Sequence, residues 1–233
     1  MAPKKGNKKK NRATLANAAE VEAPVKAEPG LDPEQRFVLQ HMARVSNSKG
    51  SPQSTTRLRK ELTNIWRSDS FKNKLFTVEL VNNSLHEWHI RLLLPVIDKD
   101  NSLYQDLLEV KKNTGKEGIL LHLQFKNTYP QEPPFIRVVE PLMYEGHIYK
   151  GTVCIEVLMP QRWRPSYLLE VLILEIAAAI SRGKGRVVFE EGEETTVACC
   201  AEQSLERARL GFEQLKIMPD YGRWTTLYQP NKG

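Results

Sequence analysis

Cysteine is the residue type in this chain best suited to nucleophilic chemistry, and the chain has three: Cys154, Cys199 and Cys200. A thiol is nucleophilic even when only a few per cent of it is ionised. Cys154 follows Gly151 by three residues, in a short apolar stretch of a segment, 141–164, without helical or strand periodicity. Cys199 and Cys200 are adjacent on an expected helix and belong to no motif, so a structural role is favoured for both. For Cys154, too, the residue alone favours a small buried hydrophobe over a nucleophile.

Other reaction types find little support. The cysteines have no metal-ligand spacing such as C-x-x-C and are odd in number, so we expect neither a zinc site nor a disulfide framework. The histidines are too scattered in sequence to indicate a metal site. The glycines of 183–185 lack the full spacing of a phosphate-binding loop, and there is no G-x-S-x-G motif. We therefore expect no bound metal or cofactor.

The net charge of the chain is concentrated at its start. Lysine and arginine total 34 against 28 acidic residues, a formal net charge of +6, and six of these cations lie within residues 4–12. The rest of the chain is formally neutral, which disfavours nucleic-acid binding except through this basic segment. The segment could also be a nuclear-localisation signal. The most apolar stretch, 168–180, is too short for a membrane span, so we expect a cytoplasmic or nuclear protein without a membrane partner.

The first 55 residues and the rest of the chain differ in composition. Residues 1–55 have few large apolar side chains and are expected to form a flexible tail. Order is expected to begin near Thr56 with a helix, because apolar residues then recur at helical spacing. These apolar residues are Leu58, Leu62, Ile65 and Trp66.

Four strands are predicted next, as two antiparallel pairs. The strands cover residues 76–81, 87–95, 118–125 and 135–140. Turn residues separate the first two, and a proline-rich segment joins the last two. The residues between the pairs, 98–116, are expected to form a polar connection.

Two helices complete the predicted domain, which ends near residue 216. Ser166 is the expected N-cap of a central helix that ends near Ile180 and is apolar on nearly every face. A last helix, 197–216, has one apolar stripe, and 217–233 are expected to form a C-terminal tail. Helix, four antiparallel strands and further helices make an α+β arrangement rather than alternating βαβ units.

Several short motifs in the second half of the chain are more informative together than singly. They are Tyr129-Pro130, Pro133-Pro134, Gly151-x-x-Cys154 and Trp163-x-Pro165. In this order, with the central helix after them, they resemble the ubiquitin-conjugating enzyme family over roughly residues 56–216. The resemblance implies that family's fold, a four-stranded antiparallel sheet with an N-terminal, a central and a C-terminal helix.

The residues around the cysteine resemble the Q-type branch of this family. That branch has a C-x-E-x-L pattern, matched here by Cys154, Glu156 and Leu158, and a basic glycine-containing segment after the central helix, matched by 182–189. The resemblance implies that Cys154 accepts ubiquitin as a thioester and yields it to a lysine amine. It also implies the partners, which are ubiquitin, an activating enzyme that consumes ATP, a ubiquitin ligase and protein substrates.

One motif of most family members is missing. A typical member has His-Pro-Asn ending eight residues before the cysteine, with the Asn supporting the oxyanion. The aligned residues here are Tyr144, Glu145 and Gly146. His147 is the leading candidate to replace the Asn, and main-chain N–H groups around Gly151 are the second. A loop residue without a catalytic role is the alternative for His147.

The acceptor lysine must lose a proton before it attacks, because its free pKa is near 10.4. Glu156, two residues after the cysteine, is one candidate to assist. Acidic residues after the central helix are others, with a solvated acidic loop as the plain alternative. They are Glu190, Glu191, Glu193 and Glu194.

Two loops resemble the surface on which relatives dock ligases. One contains Tyr129 and Pro130, and the other contains Trp163 and Pro165, which are also expected to shape the loop beside the cysteine. Gln131 stands where many members have an aromatic residue, which makes binding to the commonest ligase class a weaker expectation.

Two other functions compete with an active enzyme. One is a catalytically inactive relative that binds ubiquitin or acts as a scaffold, favoured by the missing Asn. The other is a basic-tailed nucleic-acid adaptor, disfavoured by the neutral body of the chain.

Overall fold

The computed structural model describes residues 33–43, 45, 50–190 and 196–197. The helices are α1 (Pro33–Ala43), α2 (Pro52–Arg67), α3 (Asp69–Lys72), α4 (Ser102–Thr114) and α5 (Leu169–Arg182). The longer strands are β1 (Phe76–Leu80), β2 (Glu87–Leu92), β3 (Ile119–Gln124) and β4 (Phe135–Glu140). The two-residue strands are β5 (Met143–Tyr144), β6 (Ile148–Tyr149), β7 (Thr152–Val153), β8 (Arg186–Val187), β9 (Phe189–Glu190) and β10 (Thr196–Val197).

Six strands form one antiparallel sheet in the spatial order β1-β2-β3-β4-β7-β6. β1 and β2 form the predicted hairpin, in which Phe76 lies opposite Leu92 and Leu80 opposite Trp88. β3 pairs with both β2 and β4. The four predicted strands and the α+β class are confirmed. The sheet has six strands rather than four, because the short strands β7 and β6 extend it beyond β4.

The core combines the inner face of the sheet with α2, α4 and α5. Alternate residues of β2 (Trp88, Ile90 and Leu92) are fully buried, as expected for a strand with one face on the core. Helix α2 contributes the predicted stripe of Leu58, Leu62, Ile65 and Trp66. The central helix α5 packs on the core along one broad face, while Val171 on its other side is 58% exposed, so it is less enclosed than its apolar sequence predicted.

The start of α5 differs from the prediction. The helix begins at Leu169, so Ser166 is not its N-cap, and the cap residue Leu168 makes no side-chain hydrogen bond. The cap comes from α2, where Glu61 Oε2 accepts a hydrogen bond from the N–H of Leu169 at 3.0 Å. Arg57 Nε donates to the other oxygen of this buried carboxylate at 2.6 Å, which offsets the cost of burying its charge. A cap supplied by another helix leaves no local signal in the sequence.

Helix α4 lies within residues 98–116, where a polar connection was predicted. Its buried residues Leu103, Leu107 and Val110 have the spacing i, i+4 and i+7, which is helical. Gly115 ends the helix in the left-handed conformation, with φ 72°. The prediction was wrong because this narrow apolar stripe was outweighed by the charged residues around it.

Two described helices begin before the predicted boundary at residue 56. Helix α2 starts at Pro52, with Ser51 as its N-cap. Helix α1 lies within the predicted tail, and its Val38 is buried in the core cluster. The predicted helix 197–216 and tail 217–233 lie outside the described residues, apart from Val197. None of the described helices is long and apolar enough to cross a lipid bilayer.

Candidate active site around Cys154

Two consecutive tight turns precede Cys154. The first turn, residues 145–148, is closed by a hydrogen bond from the Ile148 N–H to Glu145 O at 2.9 Å. Its central residues, Gly146 and His147, have φ values of 60° and 61°. Positive φ at both central positions is typical of the type I′ turn that suits a β-hairpin.

The second turn, residues 149–152, has the same character. Its central residues are Lys150 and Gly151, with φ values of 49° and 83°. Gly151 O also accepts a hydrogen bond from the Val138 N–H on β4 at 2.7 Å, which joins the turn to the sheet. Gly151, three residues before the cysteine, therefore allows the tight turn from β6 into β7, the strand that leads to Cys154.

Cys154 directly follows β7, and its side chain is half-buried. Its N–H donates to His147 O at 2.7 Å, which continues the β6–β7 pairing by one residue and fixes the cysteine backbone. Burial raises the pKa of the Cys154 thiol, and a hydrogen bond from the main chain of Tyr149 opposes that shift only in part. The thiol is therefore mostly neutral at neutral pH and must lose its proton to react.

The raised pKa gives a direct expectation for alkylation by iodoacetamide. Cys154 should react more slowly at neutral pH than the same cysteine in the urea-unfolded chain, because less of it is thiolate. As the pH is raised, the alkylation rate of folded Cys154 should still increase at pH values where the rate in the unfolded chain has already reached its plateau. Alkylation at each pH is followed by mass spectrometry of the Cys154 peptide. A plateau at lower pH than in the unfolded chain would contradict a raised pKa.

His147 lies opposite Cys154 in the continued β6–β7 pairing, and the residue is exposed. A Cβ at Gly183, just after α5, would lie 2.8 Å from His147 Cδ2, so the imidazole packs against the end of α5. The predicted oxyanion candidate and the cysteine thus share one hairpin. The role of the imidazole stays a prediction.

Glu156 lies in a single 3-10 turn, Glu156–Leu158, which begins two residues after the cysteine. Its carboxylate oxygen is 2.7 Å from Arg162 Nε, and both side chains are about two-thirds exposed. An exposed ion pair of this kind is worth at most about 1 kcal/mol. Glu156 would have to leave Arg162 before it could assist an incoming amine.

The Tyr129 and Trp163 loops are joined by their aromatic residues. Trp163 Nε1 donates to Pro130 O at 2.7 Å, and the Tyr129 and Trp163 rings are 6.3 Å apart. Both rings are buried, and burial raises the pKa of Tyr129. Gln131 of the first loop is exposed. These aromatic residues join the two loops from inside, and a role of Trp163 in shaping the loop beside the cysteine stays a prediction.

Arg57 fixes the second loop from α2. Its guanidinium donates to Pro165 O at 2.8 Å and to Tyr167 O at 2.7 Å. Sequence reasoning missed this contact because Arg57 and Pro165 are 108 residues apart.

Sequence reasoning also missed a cluster of three glycines. Gly146 donates its N–H to Gly183 O at 2.9 Å. A Cβ at Gly146 would lie 2.6 Å from Gly185 Cα, so the first turn and the end of α5 touch backbone to backbone. The signal was a pair of glycines in a Gly-x-Gly run after the helix and a third before the cysteine.

The described residues contain no group of three or more His, Cys, Asp and Glu side chains arranged to hold a metal ion. Of the predicted acidic candidates, Glu190 is described only by its backbone in β9. Glu191, Glu193 and Glu194 lie outside the described residues, as do Cys199 and Cys200.

Comparison with known proteins agrees with the motifs. Residues 57–186 match the family model described as ubiquitin-conjugating enzyme. The chain is 39% identical over 178 residues to "Ubiquitin-conjugating enzyme E2 Q1" of Homo sapiens, covering 76% of this chain and 40% of that protein. It is 43% identical over 134 residues to the Q-like ubiquitin-conjugating enzyme protein CG4502 of Drosophila melanogaster, covering 57% and 42%. It is 34% identical over 180 residues to "Ubiquitin-conjugating enzyme E2 25" of Caenorhabditis elegans, covering 76% and 44%.

The chain thus spans less than half the length of each of these relatives. The matched segment holds the six-stranded sheet, helix α5 and the hairpin that presents Cys154. The motif order, the fold and these matches agree, and the chain belongs to the ubiquitin-conjugating enzyme family, on the side of its Q-type members.

Proposed function

We propose that this chain is an active ubiquitin-conjugating enzyme that carries ubiquitin as a thioester on Cys154. The observation that carries the proposal is the setting of the sulfur. Cys154 is half-buried, it lies inside the segment that matches the family, and its backbone is held by a hairpin. A thiol with only a packing role in the core would not need to be partly exposed at the end of a hairpin with two tight turns.

The first proposed step is a transfer between two sulfurs. The Cys154 thiolate attacks the thioester carbonyl carbon of ubiquitin on the activating enzyme. A new C–S bond forms, the old C–S bond breaks, and the activating enzyme's thiolate leaves. The ATP needed for this energy-rich bond is consumed upstream, so this chain requires no bound nucleotide.

In the second step a neutral lysine amine of the substrate attacks the same carbonyl. An amide bond forms, the Cys154 thiolate leaves, and the amine proton passes to solvent or to a nearby base. An apolar setting favours the neutral amine, because desolvation lowers a lysine pKa. Glu156 assists this step in the proposal once it is released from Arg162.

The oxyanion formed in both steps needs hydrogen-bond donors. Residues 144–146 offer no side-chain amide. In the proposal the imidazole of His147 is the donor, because its residue lies opposite Cys154 and the end of α5 fixes the ring. A preorganised donor at this position lowers the barrier to acyl transfer by several kcal/mol.

Removal of the imidazole tests this role. His147→Ala is expected to slow discharge of ubiquitin to free lysine about a hundredfold or more, and to change the melting midpoint little because the residue is exposed. Single-turnover discharge after the activating enzyme is quenched gives the rate.

Two further variants separate the ring from the backbone. His147→Gly removes the imidazole at a position whose φ of 61° glycine adopts freely, so it should match His147→Ala. His147→Asn tolerates the same φ and keeps a donor, so it should retain part of the rate. If the Ala and Gly variants discharge ubiquitin at the normal rate, His147 is a loop residue without a catalytic role.

The proposed partners follow from the family. They are ubiquitin, a ubiquitin-activating enzyme, a ubiquitin ligase and protein substrates. The ligase would contact the Pro130–Gln131 region and the Trp163–Pro165 loop, since Arg57 and the buried rings hold these segments in fixed positions. A rigid surface reduces the entropy lost on docking.

A pulse–chase measurement distinguishes the enzyme from an inactive relative. The chain is charged with ubiquitin, the activating enzyme is quenched, and free lysine is added. The proposal predicts a thioester that disappears faster as lysine is raised, with ubiquityl-lysine as the product. Folded protein that binds ubiquitin reversibly and never forms the thioester would instead be the binding module.

A further inference from the structure

Asp106 is a buried carboxylate on helix α4, with 6% of the residue exposed. Its partners come from the segment after α5. Arg186 donates from Nε at 2.6 Å and from Nη2 at 3.0 Å, and the N–H of Val187 donates at 3.1 Å. Pairing of a guanidinium with both oxygens of a carboxylate fixes orientation as well as charge. Helix α4 and the chain after α5 are therefore locked together at this carboxylate.

The two residues held by the carboxylate also form β8, which pairs with β5. Met143 lies opposite Val187, and Tyr144 lies opposite Arg186. Asp106, and less strongly Tyr144 and Glu145, raise the pKa of Arg186, so the guanidinium also lies in the field of the first turn. A side chain that fixes β8 therefore fixes β5 as well.

Strand β5 runs directly into the first turn. Gly146 of that turn donates to Gly183 O at 2.9 Å, and its Cα packs closely against Gly185. At the end of the turn, His147 O accepts the N–H of Cys154 at 2.7 Å. The path from the α4 carboxylate to the cysteine thus consists of hydrogen bonds and backbone contacts with little free space.

We propose that Asp106 is a positioning residue for Cys154. Through β8 and β5 it holds the first turn against the end of α5, and this fixes the sulfur relative to the incoming amine. The inference rests on the proposed function, because it assigns the role for that same reaction. Asp106 itself does not touch the reacting atoms.

A positioning role has a kinetic signature that a purely stabilising role lacks. A displacement of about 1 Å at the reacting atoms can slow a reaction about a hundredfold, because the near-attack geometry is lost. In this proposal the acceptor lysine approaches Cys154 and makes no contact with α4. Loss of the carboxylate should therefore lower the maximal discharge rate and leave the half-saturating lysine concentration nearly unchanged.

The test compares Asp106→Asn with a matched control, Glu140→Gln. Glu140 is a similarly buried carboxylate, with 12% of its side chain exposed, and it joins Arg91 and Lys116 at the end of β4. Each substitution replaces one ion-paired carboxylate of this domain by a neutral amide. The full chain is used, at a temperature at which the melting curves show both variants folded.

Two readouts are taken from each variant. One is discharge of the ubiquitin thioester over a range of lysine concentrations. The other is the pH profile of iodoacetamide alkylation at Cys154, which needs neither ubiquitin nor an activating enzyme. For Asp106→Asn we expect at least a tenfold lower maximal discharge rate and a displaced alkylation profile, and for Glu140→Gln neither change. Equal discharge rates and equal profiles in the two variants would overturn the proposal.

A second variant keeps the test decisive if Asp106→Asn does not fold. Arg186→Gln leaves the carboxylate with the N–H of Val187 and removes the two-point pairing. The same slower discharge and displaced profile are expected, and normal behaviour of this variant would also overturn the proposal. If the unaltered chain forms no thioester, the proposed function fails, and the alkylation profile still decides whether Asp106 positions Cys154.

Discussion

Cys154→Ser is expected to replace a reductant-sensitive ubiquitin adduct with an adduct that survives reductant, or to abolish the adduct. Serine keeps the shape of the side chain, but its hydroxyl is a weaker nucleophile at neutral pH, and its ester is less reactive toward amines than a thioester. Lysine discharge should fall below about a thousandth of the normal rate, the scale expected when the attacking atom is replaced. Reducing and non-reducing gels of charging reactions measure both effects.

Matched controls for this prediction are Cys199→Ser and Cys200→Ser. Each removes a thiol from the same chain and should leave the reductant-sensitive adduct intact. Cys154→Ala should form no adduct and should melt near the normal temperature, because the residue is only half-buried. A reductant-sensitive adduct of normal yield in Cys154→Ala would move the nucleophile to another cysteine.

Gly146→Ala is expected to destabilise the fold by about 2–3 kcal/mol and to slow lysine discharge. The new Cβ would lie 2.6 Å from Gly185 Cα, and both atoms belong to backbone that cannot move aside cheaply. The residue also has a φ of 60°, which alanine adopts with strain. Relief of the contact would separate the first turn from the end of α5, which is why activity should fall together with stability. Urea unfolding and single-turnover discharge measure the two effects.

Gly115→Ala provides the matched control. Gly115 has a φ of 72°, and a Cβ there would meet no heavy atom within 4 Å. This substitution carries the conformational strain alone, about 1 kcal/mol, and should leave discharge unchanged. If Gly146→Ala lost no more stability than Gly115→Ala, the close contact with Gly185 would have no energetic weight.

Much of the fold could be predicted because the strongest signals are local. The alternation of buried residues in β2 and the apolar run of α5 are both visible in a short window. The start of α5 could not be predicted, because its cap is Glu61 of another helix. Helix α4 was missed because its stripe is narrow and charged residues surround it.

The candidate site shows the same division. Cys154 could be singled out because several motifs flank it in a particular order along the sequence, and the family match covers that segment. The close approach of Gly146 to the end of α5 could not be predicted, since positive φ values and backbone contacts carry no residue-type signal beyond the glycines. The Asp106–Arg186 pair joins residues 80 positions apart, and no short window contains both.

The most direct test of the account is charging measured by intact mass. The purified chain is incubated with ubiquitin, a ubiquitin-activating enzyme and ATP, and the products are weighed before and after a thiol reductant and then mapped by peptide mass spectrometry. We expect an added mass of one ubiquitin less one water, dependent on ATP, removed by reductant and located on Cys154. Folded protein that gains no mass under these conditions, or gains it at another residue, would contradict the account.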